Sequence, residues 1–215
     1  VYDRHDRAGG LLTYGIPGFK LEKHVIMRRV QRLKDGGIQF HENFEVGRDA
    51  TLEELRDRQD AILIATGVYK AREIQMPGVG APGVEEALDF LIASNRKSFG
   101  DTVPDFDNGR FDAEGRNVVV IGGGDTAMDC VRTSIRQSAK SVKCLYRRDR
   151  ANMPGSQNEV RNAEEEGVEF VWLSAPKAIE GTEHVTAVRA SRMRLGAPDA
   201  SGRRSPEVEP DSDFT

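Results

Sequence analysis

Residues 117–127 read NVVVIGGGDTA, an apolar run followed by a glycine turn. The run NVVVI predicts a buried strand, and the residues that follow the glycines predict a helix. The spacing is G-x-G-x-x-A, in which Gly122 permits a tight turn, Gly124 lets the backbone approach a diphosphate and Ala127 lets the helix pack close to the strand. We therefore predict a dinucleotide site at the helix N-terminus, with a merely tight strand–helix turn as the plainer alternative. The predicted diphosphate contacts are Gly122, Gly123, Gly124, Asp125, Thr126 and Ala127.

Strand and helix patterns alternate after this stretch. They predict a helix over 125–139, a strand over 141–146, a helix over 157–166 and a strand over 168–172. Such alternation implies crossover connections and a parallel sheet, so we expect an α/β fold with a Rossmann-like sheet. Residues 177–193 indicate antiparallel β-structure, whereas the acidic, turn-rich residues 206–215 predict no regular element.

The end of the second predicted strand indicates which nucleotide is bound. NAD-selective domains place an acid about 20 residues beyond the glycines, where it accepts from the ribose 2′-hydroxyl. Here Arg147 and Arg148 follow the strand, and no carboxylate stands at its tip. A guanidinium binds a 2′-phosphate through charge-assisted hydrogen bonds, whereas an acid repels it. The pair, ahead of Arg150, predicts NADP(H) over NAD(H). The alternative is a solvated basic loop paired with the acids at 164–166.

The N-terminal residues, up to about residue 67, show a second set of patterns. They predict a glycine-rich loop over 8–18, a helix over 21–34 and short strands over 38–40 and 44–46. Thr51 predicts a helix cap, because Glu53 and Glu54 fall in the first turn of the helix that would follow. The continuous apolar run at 60–67 is typical of a central strand in a sheet covered on both faces.

Two Pro-Gly pairs, at 77–78 and 82–83, indicate a crossing between domains. We therefore divide the chain into residues 1–78 and residues 79–215. A helix is predicted over 85–94, and the Asp-, Gly- and Pro-rich residues 99–116 predict a surface loop.

Composition excludes several classes of protein. The 215 residues carry a net charge of −4 with acids and bases interspersed, so the basic stripe of a nucleic-acid binder is missing. No run approaches the roughly 18 apolar residues of a membrane span. Cys130 and Cys144 stand alone, which excludes a four-cysteine cluster within the chain and favours a reducing, cytoplasmic setting. The four histidines are scattered, so we expect no metal site. No side chain stands out as catalytic, which leaves the chemistry to cofactors.

A family resemblance rests on six motifs. They are YDR at 2–4, GGLLTYGIPGFKL at 9–21, IATG at 64–67, GGGDTAMD at 122–129, CLYRR at 144–148 and NMPGS at 152–156. With them the chain resembles, along its whole length, the small (beta) subunit of bacterial NADPH-dependent glutamate synthase. The GGGDTA motif is shared more widely, for example by the reductase part of dihydropyrimidine dehydrogenase. Its combination with the Tyr-Gly-Ile-Pro loop is narrower.

The resemblance implies two nucleotide domains, with an NADPH domain (residues 79–215) inserted into an FAD domain of which residues 1–78 are an incomplete part. It also implies that NADPH reduces FAD, that electrons pass on through iron–sulfur clusters, and that a glutamate-forming large subunit receives them. Carried over by position, Asp3 would bind the adenosine ribose of FAD, Lys20 would lie near the polar edge of the flavin nucleotide, and Val46 would meet the adenine. The implied FAD contacts are Asp3, Gly9, Gly10, Leu11, Lys20, Val46, Ala65, Thr66 and Gly67.

Some features of that family do not occur in these residues. A glycine-rich turn should precede the strand that ends at Asp3, but the sequence begins at Val1 without a Met. The cysteine-rich region for the clusters is also missing. We therefore interpret the chain as the middle of a longer polypeptide that binds flavin poorly by itself. Two alternatives remain: a related NADPH-to-FAD subunit serving another acceptor, such as pyrimidine reduction, and a non-enzymatic NADP-sensing module.

Overall fold

The structure, a computed structural model, describes residues 1–70, 74–198 and 204–215. Its helices are α1 (Leu11–Tyr14), α2 (Lys23–Asp35), α3 (Leu52–Arg58), α4 (Ala87–Ser98), α5 (Pro104–Asp107), α6 (Asp125–Arg136) and α7 (Gln157–Glu165), with a 3₁₀ turn at Arg150–Asn152. Its strands are β1 (Asn117–Ile121), β2 (Ser141–Leu145), β3 (Glu169–Val171), β4 (Ser174–Glu180), β5 (Ala187–Pro198) and β6 (Arg204–Phe214). Within these ranges no helix is long and apolar enough to cross a membrane.

The first three strands form a parallel sheet in the order β1-β2-β3. Val120 of β1 is the register partner of Cys144 in β2, and Cys144 is the partner of Phe170 in β3. Helix α6 connects β1 to β2, and helix α7 connects β2 to β3. The α/β class and the parallel sheet predicted from the glycine stretch are therefore confirmed.

The hydrophobic core lies between this sheet and its two helices. Burying an aliphatic side chain of this kind stabilises the fold by about 1.5–3 kcal/mol. The core therefore fixes α6 against the sheet and so determines where its N-terminus points. The buried members are Ala127, Met128, Val131, Val142, Cys144, Tyr146, Met153, Val160, Ala163 and Val168.

A second, antiparallel sheet follows in the order β4-β5-β6. It confirms the β-structure expected over 177–193. The expectation that residues 206–215 form no element is wrong, because residues 206–214 belong to β6. Most side chains of β6 are exposed, so this edge strand is held by backbone pairing rather than by a buried face. Pro206 and Pro210, which suggested turns, are tolerated at such an edge because few backbone donors are needed there.

The residues before the parallel sheet are mainly helical. Helix α2 confirms the helix expected over 21–34, and Thr51 forms a full capping box with Glu54 at the start of α3. The short strands expected at 38–40 and 44–46 are wrong: the structure has isolated bridges there, which join Tyr2 to His41 and Val46 to Ala50. Helix α4 begins two residues later and ends four residues later than the predicted 85–94.

The strand expected over 60–67 is also wrong for the described part of the chain. Residues 61–68 have no regular secondary structure and are exposed, with Leu63 at 89% and Ile64 at 68%. An apolar run indicates a segment that could form a buried strand. A strand forms only where a neighbouring strand provides backbone hydrogen-bond partners. Among the described residues no strand lies beside this run.

Candidate functional site

The glycine turn lies directly between β1 and α6, at the carboxyl edge of the parallel sheet. Gly122 has φ +152°, and its amide donates to the Leu145 carbonyl at 3.1 Å. A Cβ placed on Gly122 would lie 3.4 Å from the Cβ of Ala127, so small residues at both positions keep helix and strand close. Gly124, at the N-cap of α6, has no heavy atom of a described residue within 4 Å of the Cβ it lacks. The space above Gly124 is therefore open to a ligand.

The backbone amides in the first turn of α6 form the second feature of this site. The amides of Ala127 and Met128 donate to the Gly124 carbonyl at 2.9 and 3.2 Å. Those of Asp125 and Thr126 have no acceptor among the described residues. Free amides at the positive end of a helix dipole attract an anion.

Two further contacts hold this turn in place. The Asp125 carboxylate accepts from the amide of Ser156 at 3.1 Å, which joins the start of α6 to the start of α7. The Gly155 amide donates to the Gly123 carbonyl at 3.0 Å. Ser156 is the N-cap residue of α7, and its side chain makes no capping hydrogen bond to the described residues. The motif NMPGS thus supports the glycine turn through backbone groups.

The three arginines after β2 have different environments. Arg147 is exposed, and its guanidinium has no partner in the parts of the chain that the structure describes. Arg148 is only 6% exposed, and its Nε donates to the Arg204 carbonyl at 3.1 Å. Arg150 donates to both carboxylate oxygens of Glu164, at 2.9 and 2.8 Å. Arg147 is therefore available to a ligand, while Arg150 is already neutralised.

The loop over residues 9–20 places its candidate residues in two directions. Gly9 and Gly10 have φ +114° and +53°, and a Cβ on Gly9 would lie 2.4 Å from Thr13 Oγ1. Leu11 directly follows them and begins α1, so the loop expected over 8–18 contains a one-turn helix. Lys20, at the other end of the loop, donates through Nζ to Asp129 Oδ1 of α6 at 2.9 Å.

Tyr69 brings together the other segments implied for FAD. Its ring lies 4.5 Å from the Arg4 guanidinium and 5.5 Å from the ring of His5. Its hydroxyl would lie 3.5 Å from a Cβ on Gly10. Burial, with Asp3 nearby, raises the pKa of Tyr69. The exposed residues Ala65, Thr66 and Gly67 precede Tyr69 in the chain, so this ring connects them to the segment from Asp3 to Gly10.

Asp3 and Val46 are also close in the fold. The Asp3 carbonyl accepts from the amide of Phe44 at 2.9 Å, two residues before Val46, which is half-exposed. One carboxylate oxygen of Asp3 is bound by His5, through the amide and through Nδ1, at 3.0 Å each. These contacts leave the second carboxylate oxygen of Asp3 without a partner among the described residues.

Several residues of this region were not among the site residues predicted from the sequence. Tyr146 covers the glycine turn, and Asp129 and Glu159 face the loop from α6 and α7. Their roles depend on partners far away in the chain, which no local pattern reveals. Cys130 and Cys144 are buried, and burial raises the pKa of both thiols, that of Cys144 to about 12. Both therefore pack as small apolar side chains.

A parallel sheet with a glycine turn opening onto a free helix N-terminus defines an α/β nucleotide-binding protein. The pattern of the pyridine nucleotide-disulphide oxidoreductase family matches residues 9–197. The chain belongs to that family.

Individual relatives are similar over the whole of this chain. The small chain of NADPH glutamate synthase from Azospirillum brasilense is 63% identical over 100% of this chain and 45% of its own length. A putative small chain of the same enzyme from Cereibacter sphaeroides is 64% identical, over 100% of this chain and 51% of its own. The chain thus spans about half the length of these relatives.

A solved structure confirms the fold. FprA from Mycobacterium tuberculosis, in complex with NADPH, matches with a TM-score of 0.82, covering 99% of this chain and 60% of its own. At 19% identity this likeness concerns the fold alone.

Proposed function

We propose that this chain binds NADPH as part of a flavoprotein that passes reducing equivalents from NADPH to FAD, as the electron-input small chain of a glutamate synthase. The observation that carries the proposal is the open N-terminus of α6, with Gly124 uncovered and Arg147, unpaired within the described residues, on the same edge of the sheet. The full-length similarity to glutamate synthase small chains supports the same enzyme.

The residues present fit NADPH. A Cβ at position 124 would fill the open space above Gly124, where the diphosphate would lie. The amides of Asp125 and Thr126 would donate to the diphosphate. Arg147, with Arg148 behind it, would bind the 2′-phosphate. The carboxylate of Asp125 is held by Ser156, which supports a structural part for it rather than contact with an anion. In this reaction class the bound nucleotide supplies a hydride and the flavin accepts it.

We place the FAD contacts in residues 1–78 and the NADPH contacts in residues 79–215. The cluster around Tyr69 supports the first assignment, since it gathers the segments of Asp3, Gly10 and Gly67. Gly9, Leu11, Lys20, Val46, Ala65 and Thr66 complete the proposed set. Iron–sulfur clusters would lie outside this chain, because its two cysteines are too few to hold one. A large subunit would be the partner, in the cytoplasm.

The test is a titration followed through Trp172, the sole tryptophan. Its ring lies 6.4 Å from that of Tyr146, which covers Gly123, so its fluorescence reports on the glycine turn. We expect NADPH to bind at least about tenfold more tightly than NADH, because a charge-assisted hydrogen bond contributes about 1.5–3 kcal/mol. Equal affinities for NADPH and NADH would contradict the assignment of Arg147. A visible spectrum without flavin bands, recorded on the whole protein that contains this chain, would exclude the flavoprotein and favour a sensing module.

A further inference from the structure

The loop over residues 9–20 is joined to helix α6 by a partly buried ion pair. Lys20 Nζ lies 2.9 Å from Asp129 Oδ1 and 3.9 Å from Glu159 Oε2. Asp129 is only 6% exposed. It stands four residues after Asp125 and so lies one turn behind the amides proposed to hold the diphosphate.

Among the described residues, Lys20 is the cation hydrogen-bonded to Asp129, whereas Lys23 interacts with that carboxylate only electrostatically. The neighbouring Arg132 is taken up by other acids: it donates to Glu159 at 2.7 Å and to Glu166 at 2.7 Å. Burial raises the pKa of Asp129, Lys20 opposes that rise, and the charge of Glu159 adds to it. Because a buried carboxylate without a partner is strongly unfavourable, the position of Lys20 relative to α6 is tightly constrained.

Phe19 adds a second contact to the same helix. Its ring lies 4.6 Å from the Arg132 guanidinium and 4.3 Å from the Arg136 guanidinium. Both arginines belong to α6, so residues 19 and 20 together attach the end of the loop to this helix. The loop begins at Gly9 and Gly10, the glycines proposed to approach FAD.

We propose that the Lys20–Asp129 pair is a positioning device that couples the two nucleotide sites. This inference rests on the proposed function. The pair fixes the distance between the loop of the hydride acceptor and the helix that holds the hydride donor. A ligand that orders the first turn of α6 then also orders residues 9–20, and by thermodynamic linkage the reverse holds.

Hydrogen exchange on the full chain, with and without NADPH, tests this coupling. The reporters are loop amides with internal hydrogen bonds, such as Thr13 to Gly10 and Lys20 to Pro17, both at 3.0 Å. We expect saturating NADPH to slow their exchange about fivefold or more, the lower end of typical coupling. Lys20→Met should abolish this slowing while NADPH affinity changes less than the exchange does, and Lys20→Arg should retain it. The matched control is Lys177→Met, which removes a lysine paired with Asp213 on the second sheet.

Each outcome decides the matter. Loop protection that persists in Lys20→Met, or that is missing from the unmutated chain although NADPH binds, overturns the positioning role. Failure of the unmutated chain to bind NADPH overturns the proposed function itself, and the inference falls with it. If circular dichroism shows Lys20→Met to be unfolded, Asp129→Leu replaces it, because leucine is similar in size and offers no acceptor to Lys20. Unchanged protection in Asp129→Leu would then count against the proposal.

Discussion

The ring of Tyr146 covers Gly123 so closely that a Cβ on this glycine would lie 2.3 Å from Cε2 of the tyrosine. Tyr146 is buried, and its hydroxyl donates to the Asn152 carbonyl at 3.2 Å, so the ring cannot turn away freely. Position 123 therefore needs a glycine because a side chain would clash with the ring of Tyr146. Position 124 needs one because a side chain would block the approach of a ligand.

Gly123→Ala should consequently destabilise the fold. We expect a loss of about 1–3 kcal/mol in the free energy of unfolding, the usual cost of forcing an extra methyl group into a packed site. Urea denaturation followed by circular dichroism measures it. In a Tyr146→Ala background the same Gly123→Ala change should cost less, because the clashing ring is gone. A Gly123→Ala chain as stable as the unmutated one would show that the ring is not fixed.

Gly124→Ala, in contrast, should affect the binding of NADPH rather than the stability of the fold. Its φ of −92° suits any residue, and no atom of the described part of the chain lies within 4 Å of the added Cβ. Stability should change by less than about 0.5 kcal/mol. NADPH affinity should fall at least about tenfold, because the methyl group keeps the diphosphate away from the helix amides. The Trp172 titration gives the affinity, and unchanged binding would contradict the placement of the diphosphate.

Arg147→Ala should narrow the preference for NADPH over NADH by about tenfold or more, since it removes a charge-assisted contact to the 2′-phosphate. The matched control is Arg150→Ala, whose guanidinium is already bound by Glu164. That variant should keep the preference. Arg148→Ala should narrow the preference too, but with a loss of stability, because this side chain is buried and bonded to the Arg204 carbonyl.

The parallel sheet could be predicted from sequence because its signals are local. In residues 117–127 an apolar run, three glycines and a helix follow one another without interruption. Strand β6 could not, since it pairs through its backbone and shows no alternating buried face. The run at 60–67 failed for the opposite reason: its pattern is right for a buried strand, but its exposure depends on neighbours that a local pattern does not contain.

The residues of the candidate site also differ in whether their positions follow from local sequence patterns or from long-range contacts. The positions of the glycines and of Arg147 just after their strands could be predicted, because each follows from a local strand pattern. The pairing of Lys20 with Asp129 joins residues 109 positions apart, so nothing near either residue announces it. The contacts of Tyr69 with Arg4 and His5 likewise join residues that are far apart in the sequence.

Lys23 predicts a pH dependence of stability. Its ammonium donates to the carbonyls of Leu12 and Ile16, and burial lowers its pKa to about 8, a shift that Asp129 partly opposes. In the unfolded chain this lysine keeps its proton up to its usual pKa of about 10.4. Between about pH 8 and pH 10 the unfolded state therefore binds more protons, and stability attributable to Lys23 rises with pH.

Comparison with Lys23→Met isolates this effect. From pH 7.5 to 9.5 the unmutated chain should gain about 1 kcal/mol relative to the variant, after allowance for the partial exposure of the ammonium. Urea denaturation at both pH values measures the difference. Parallel pH profiles for the two chains would show that the lysine is not desolvated.

The differing attachments of Arg147 and α6 bear on how cofactor preference can evolve. A guanidinium that supports no described residue can be exchanged by mutation without disturbing the fold, so selection can shift this preference in single steps. Helix α6 has no such freedom, since Asp125 at its start, Asp129 in its middle and Arg132 beyond each bind a different neighbour. Engineering towards another nicotinamide nucleotide should therefore begin at the loop after β2 and leave the helix untouched.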